Sequence, residues 1–129
     1  MDFLNPLANL YSEKYSDSTP AYLREMYEAT KATHAHAHLQ SSWTQGGFLS
    51  FISKLVQPTH ILEIGTFTGF STLCLAQGLV TAGTLHTIEL REQDALVAQG
   101  YFEQSPVGNK IISHVGDAKT IIPSLQFNW

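Results

Sequence analysis

The sequence predicts an α/β fold: three parallel strands joined by helices, with further helices ahead of the first strand. Three observations carry this. Short apolar runs end at Ile64, Glu89 and Val115, and the segments between them are long enough for helical crossovers. Each run meets a turn signal and then apolar residues at helical spacing. The stretch Ile61-Leu62-Glu63-Ile64-Gly65-Thr66-Phe67-Thr68-Gly69-Phe70-Ser71 passes from apolar strand through a glycine turn into a helix. Strands alternating with helices imply right-handed crossovers.

The elements follow in order. Asn5-Pro6, then Leu7, Leu10 and Tyr11, predicts a short helix with an asparagine cap. Asp17-Ser18-Thr19-Pro20 is a second start signal, with Thr19 as cap and Pro20 at the first helical position. Tyr22, Leu23, Met26 and Tyr27 then keep helical spacing, and the helix is expected to reach His38. Both helices are expected to pack on the sheet or on a second subunit. Gly46-Gly47 opens an apolar helix through Phe48, Leu49, Phe51, Ile52, Leu55 and Val56, which Pro58 ends. Strand one is His60 to Ile64. The helix from Phe70 is expected to run to about Leu79. Strand two is Thr84 to Glu89, a helix follows from Asp94 to Gln104, and strand three is Ile111 to Val115. A last helical piece runs from Lys119 to about Leu125, broken at Pro123.

Composition narrows the function. The 129 residues suit one domain with a modest core, and 43% are apolar, as in ordinary globular proteins. The formal charge of −4 argues against a nucleic-acid grip. One cysteine allows no internal disulfide and fits a reducing cytoplasm. Cys74, on an apolar helix face, reads as a buried inert thiol. No apolar run reaches the ~18 residues of a membrane span, and no basic-then-apolar leader is seen. His34 and His38 would share one helix face, where a metal could bridge them. No cysteine or carboxylate is spaced to complete such a site, so packing or solvated histidines are expected and no metal site is assigned.

The strand ends carry the chemistry. In open α/β sheets ligands bind outside the carboxyl ends of the strands. Glu63 with Gly65, Glu89, and Gly116-Asp117 stand at three such ends. Glu89 lies 20 residues beyond Gly69, a spacing at which an acidic residue can accept both ribose hydroxyls of an adenosine cofactor. Asp117 is placed to reach an adenine amino group or to cap the next helix. Phe67 stands where a dinucleotide fingerprint has its middle glycine. A pyrophosphate therefore approaches less closely, which disfavours a nicotinamide dehydrogenase and favours an adenosyl ligand without phosphates.

These residues resemble S-adenosylmethionine-dependent O-methyltransferases of the caffeoyl-CoA and catechol O-methyltransferase group. The resemblance rests on Ile61 to Thr72, Leu85 to Glu89, Gly116-Asp117-Ala118 and the upstream Ser41-Ser42-Trp43-Thr44-Gln45-Gly46. It implies a Rossmann-like class I methyltransferase fold. Residues 1–57 would be amino-terminal helices and 58–129 the first half of the cofactor-binding domain. It also implies that Gly65 and Thr66 offer backbone to the methionine part of S-adenosylmethionine, with Phe67 in the same turn. Ser71 would hold the methionine carboxylate and Glu63 would sit beside it. Glu89 would take the ribose, Asp117 and Ala118 would border the adenine, and Ser41 would touch the cofactor from the other side.

The same resemblance implies that the fold is truncated after the third parallel strand. Family members are expected to run on for roughly half as much chain again. Their next strand carries an Asp for a divalent metal such as magnesium, and an Asp-Asn pair completes that site. Catalytic residues are therefore expected beyond Trp129, and the 129-residue chain alone is expected to be inactive. The complete enzyme would methylate a hydroxyl of a small phenolic or catechol-like acceptor. The alternatives are a transfer-RNA hydroxyuridine methyltransferase of the same group, or a non-catalytic adenosyl-binding fragment. Without a fourth strand, strand one would be an open apolar edge, with bare apolar surface on Phe48, Phe51, Ile52 and the helix from Phe70. A homo-oligomer is the expectation.

Overall fold

The computed structural model describes residues 5–16 and 20–126. The expected cap at Thr19 and the segment Phe127-Asn128-Trp129 lie outside the described residues. The sheet has three strands, β1 (His60–Ile64), β2 (Thr84–Glu89) and β3 (Ile111–Val115), in the order β1-β2-β3. All are parallel, with Ile64 opposite Ile88 and Glu89 opposite Val115. The strand bounds are those expected, because each is an apolar run closed by a turn residue.

Six α-helices accompany the sheet among the described residues: α1 (Pro6–Tyr15), α2 (Ala21–Thr33), α3 (Trp43–Val56), α4 (Phe70–Ala76), α5 (Glu92–Glu103) and α6 (Ala118–Ile121). Asn5 caps α1 as expected, its side chain accepting the Leu7 amide. Several helix limits differ from the sequence reading. Pro20 is the residue before α2 rather than its first residue. The helix ends at Thr33, where His34 turns extended, and a 3-10 turn occupies Ala37–Leu39. His34 and His38 therefore do not share a helix face. The next helix starts at Trp43, before Gly46-Gly47, because Ser42 and Gln45 form a reciprocal capping box. That cap satisfies end amides and starts the helix three residues ahead of the glycines expected to open it.

After the central turn, α4 stops at Ala76, short of Leu79. Its final carbonyls are diverted: Ser53 Oγ donates to the Leu75 carbonyl, and Gly78 and Leu79 make tighter bonds to Leu75 and Ala76. Beyond β2, α5 opens at Glu92, two residues earlier than expected, so Asp94 falls in its first turn. The last piece is the single turn of α6 followed by a 3-10 turn at Ile122–Ser124 around Pro123.

Alternation along each strand sorts the sheet's two faces. Ile61, Leu85 and Ile111 pack with Leu75, Ala76 and Leu79 under α4. The opposite face carries His60, Leu62, His86, Ile112 and His114, with Ile64 and Ile112 exposed. A second core lies among helices: Leu23, Met26 and Tyr27 of α2, Trp43, Phe70 and Leu73, closed by Ala98 and Phe102 of α5. Thus α2 packs on α4 rather than on the sheet. The helix α1 lies near α3, with Leu7, Leu10, Tyr11 and Tyr15 exposed. Phe48, Phe51 and Ile52 are exposed as expected, whereas Phe70, Leu73, Cys74 and Ala76 of α4 are buried, contrary to the expected bare face. Burial pushes the Cys74 thiol up to about 12, which keeps it protonated and inert at neutral pH. Among the described residues, no helix is long and apolar enough to cross a membrane.

Candidate functional site

The three strand ends come together at one edge of the sheet, and backbone bonds tie them. The Gly65 amide donates to the Ile88 carbonyl and the Gly116 amide to the Glu89 carbonyl, each at 2.8 Å. Gly65 has φ 91°, and a Cβ there would meet open space, so the backbone stands bare toward any ligand. Gly69 has φ 93° and precedes α4; a Cβ there would lie 2.6 Å from the Phe102 ring. The turn is therefore built against α5 as well as against the sheet.

Glu89 is 5% exposed and its carboxylate is already oriented. One oxygen accepts the Phe67 amide at 2.7 Å and the other the Arg91 amide at 3.0 Å. Arg91 Nε stands 3.7 Å away. A carboxylate has about four lone-pair positions, so two fixed amides leave room for further donors.

Glu63, on β1, is the centre of a hydroxyl cluster. It accepts Ser71 Oγ at 2.6 Å, Thr72 Oγ1, and Thr87 Oγ1 at 2.7 Å. Thr66 Oγ1 lies 2.6 Å from Thr87 Oγ1. Thr87 has one proton and gives it to Glu63, so Thr66 donates to Thr87. Thr66 thus turns its hydroxyl inward and only its backbone is left for a ligand. Burial raises the Glu63 carboxyl pKa above its ordinary value; the three hydroxyl donors lower it in part, and the Glu89 charge adds to the rise. An acid raised on folding holds its proton more tightly in the native state. Its ionisation therefore costs stability, which falls as pH rises from the ordinary carboxyl value through the raised one. Glu63→Gln removes this slope, so the variant's melting temperature relative to the parent should climb across that window. A difference that stays constant between about pH 4 and pH 8 would show that Glu63 is not the group responsible.

Asp117 is exposed and caps α6, accepting the Lys119 amide at 2.8 Å, with Ala118 beside it as the first helical residue. Ser41 is half-buried, one residue ahead of the α3 cap, and takes no part in the bonds above. Glu63, Thr66 and Ser71 thus share one hydroxyl cluster, Phe67 and Glu89 share a second group of bonds to which Gly116 is linked, and Gly65 ties the end of β1 to Ile88 of β2.

Three residues that the sequence did not assign to the strand ends, Arg91, Asp94 and His34, stand beside this turn. Asp94 and Arg91 lie on and just before α5. Arg91 Nη2 stands 2.7 Å from Asp94 Oδ2, and His34 Nε2 stands 2.9 Å from Asp94 Oδ1. The signal for Arg91-Glu92-Gln93-Asp94 was only a charged helix start, and His34 lies 60 residues away in sequence. Among the described residues, no three His, Cys, Asp or Glu side chains gather to hold a metal ion.

The sequence model of a family described as O-methyltransferase matches residues 12–128. The chain belongs to the O-methyltransferase family. Among curated members of that family, a catechol O-methyltransferase of Niastella koreensis is 36% identical over 81 residues, 63% of this chain and 37% of the relative. A caffeoyl-CoA O-methyltransferase of Stellaria longipes is 30% identical over 104 residues, 81% of this chain and 43% of the relative. Among solved O-methyltransferases, TomG of Streptomyces achromogenes, in complex with S-adenosylmethionine, superposes with a TM-score of 0.83 at 30% identity. It covers 94% of this chain and 54% of TomG. A Podospora anserina methyltransferase bound to S-adenosylhomocysteine gives a TM-score of 0.88 at 26% identity, over 99% of this chain and 56% of the other. The fold is therefore the Rossmann-like methyltransferase fold, truncated relative to those solved chains. The chain spans less than half of the curated relatives and little more than half of the solved ones.

Proposed function

We propose that this chain binds S-adenosylmethionine across the ends of β1, β2 and β3, as half of an enzyme that methylates a hydroxyl of a small phenolic or catechol-like acceptor. The observation that carries the reading is Glu89, a nearly buried carboxylate fixed by two backbone amides at the end of β2. When bound, the cofactor supplies an electrophilic methyl group on a sulfonium. Glu89 accepts the ribose hydroxyls with the lone pairs its amides leave over. Gly65 and Thr66 present backbone to the methionine part, beside Phe67. Ser71 turns its hydroxyl from Glu63 to the methionine carboxylate, while Thr72 and Thr87 keep Glu63 in place. Asp117 and Ala118 border the adenine, and Ser41 closes the opposite side. These residues bind and orient, and orientation of the reacting groups lowers the barrier.

Solved relatives bound to S-adenosylmethionine or S-adenosylhomocysteine support the choice of ligand, and the names of the curated relatives support the acceptor class. Calorimetry with S-adenosylhomocysteine is expected to show saturable binding to the 129-residue chain, and NAD none. Absence of binding, or a preference for NAD, would overturn the reading. The acceptor site, and a divalent metal such as magnesium, would be supplied by residues other than those described. On this reading the chain alone holds cofactor without transferring methyl. Magnesium-dependent methylation of catechol by the purified chain would contradict that.

Self-association is part of the same proposal. Among the described residues β1 pairs only with β2, which leaves its other edge open, and Phe48, Phe51, Leu55 and Val56 of α3 are exposed. Open strand edges and contiguous apolar surface favour pairing with another copy. Sedimentation at several concentrations should show dimers or larger species; one monomeric species throughout would refute it.

A further inference from the structure

Phe67 stands in the turn after β1 with φ 50°, a left-handed conformation disfavoured for a bulky L-residue. Glu89 holds its amide. Its ring is held separately. His34 meets it edge-on, with centroids 4.6 Å apart and planes at 78°. The Arg91 guanidinium lies 5.5 Å from the ring centroid, within cation–π reach. Both neighbours are gripped by one carboxylate, Asp94, which is 5% exposed. Asp94 Oδ1 faces His34 Nε2 at 2.9 Å, and Oδ2 forms an ion pair with Arg91 that is not an aligned hydrogen bond. The His36 amide donates to His34 Nδ1 at 3.0 Å. Nδ1 therefore acts as an acceptor, and Nε2 is the nitrogen that faces Asp94. Both ring nitrogens are engaged, which makes His34 a wall of the turn rather than a base.

We propose that Asp94 is the positioning residue of the cofactor turn: it sets His34 and Arg91 against the Phe67 ring and so fixes the backbone between Gly65 and Gly69. The proposal rests on the cofactor reading above and adds to it a residue that touches no cofactor. Asp94 acts through Phe67, so the two must be energetically coupled. Calorimetry with S-adenosylhomocysteine on the parent chain, Asp94→Ala, Phe67→Ala and the double variant tests this. Asp94→Ala is expected to weaken binding about tenfold, and to add less than about twofold once Phe67 is already alanine. Independent, multiplying losses would overturn the proposal, as would an unchanged affinity in Asp94→Ala. Where the alanine variant fails to fold, Asp94→Asn keeps the shape and removes the charge that holds Arg91. A second readout needs no ligand. The Phe67 amide should exchange with deuterium about tenfold faster in either Asp94 variant, while the Leu85 and Ile88 amides of β2 keep the parent rate. A parent chain that does not bind S-adenosylhomocysteine would sink the cofactor reading alone. The Phe67 exchange rate would still decide the positioning role, and an unchanged rate would end it.

Discussion

Glu89→Ala is expected to weaken adenosyl binding more than tenfold. A hydrogen bond to a charged group is worth about 1.5–3 kcal/mol, and about 1.4 kcal/mol is a factor of ten in affinity. The proposed ribose contact uses two such bonds. The variant also strips the Phe67 and Arg91 amides of their acceptor, so the turn loses its clamp at the same time. The two contributions separate experimentally. Glu89→Gln keeps the side-chain shape and one acceptor oxygen, and should fall between parent and alanine. Calorimetry on folded protein that returned the parent affinity for Glu89→Ala would remove Glu89 from the site.

Phe70→Ala is expected to cost about 3–5 kcal/mol of stability, the usual range for emptying a buried aromatic position. Phe70 is 2% exposed at the start of α4. Its ring stacks on Trp43 at 5.7 Å and 20°, and meets Tyr27 at 5.0 Å. A Cβ added to Gly46 would lie 2.5 Å from it. The ring therefore joins α2, α3 and α4 at one point, and three helices lose a shared contact when it goes. Against a typical total of about 5–15 kcal/mol, such a loss is a large share. Denaturant titration should show a much lower midpoint. A midpoint within experimental error of the parent would show that this cluster contributes little.

Much of this is legible in the sequence. All three strands could be placed because apolar runs bounded by Gly, Pro or acidic turn residues are local signals. The convergence of Glu63, Gly65, Glu89 and Gly116 followed from parallel order alone. The start of α3 was misread because Gly46-Gly47 looked like punctuation; the stronger signal was Ser42 with Gln45, a capping pair three residues apart. His34 was read with its neighbours His36 and His38, yet its partner is Asp94 on a helix that only the folded topology brings near. Thr66 and Thr87 gave no sign of bonding to each other or, through Thr87, to Glu63. Hydroxyls that meet across strands leave no pattern in a single sequence.

The order of the strands has a consequence for how the chain reaches this state. Each strand pairs with its successor in sequence, and the helix between them closes over the same face. His60 and Thr84, side by side in the β1–β2 register, are 24 residues apart. Loop-closure entropy grows only slowly with length, so two medium closures complete the sheet without recruiting a distant segment. The turn that carries Phe67 closes as soon as β2 docks, because its acceptor, Glu89, is the last residue of that strand. Pairing of β1 with β2 therefore also closes the Phe67 turn, and Gly116 joins the edge when β3 docks on Glu89.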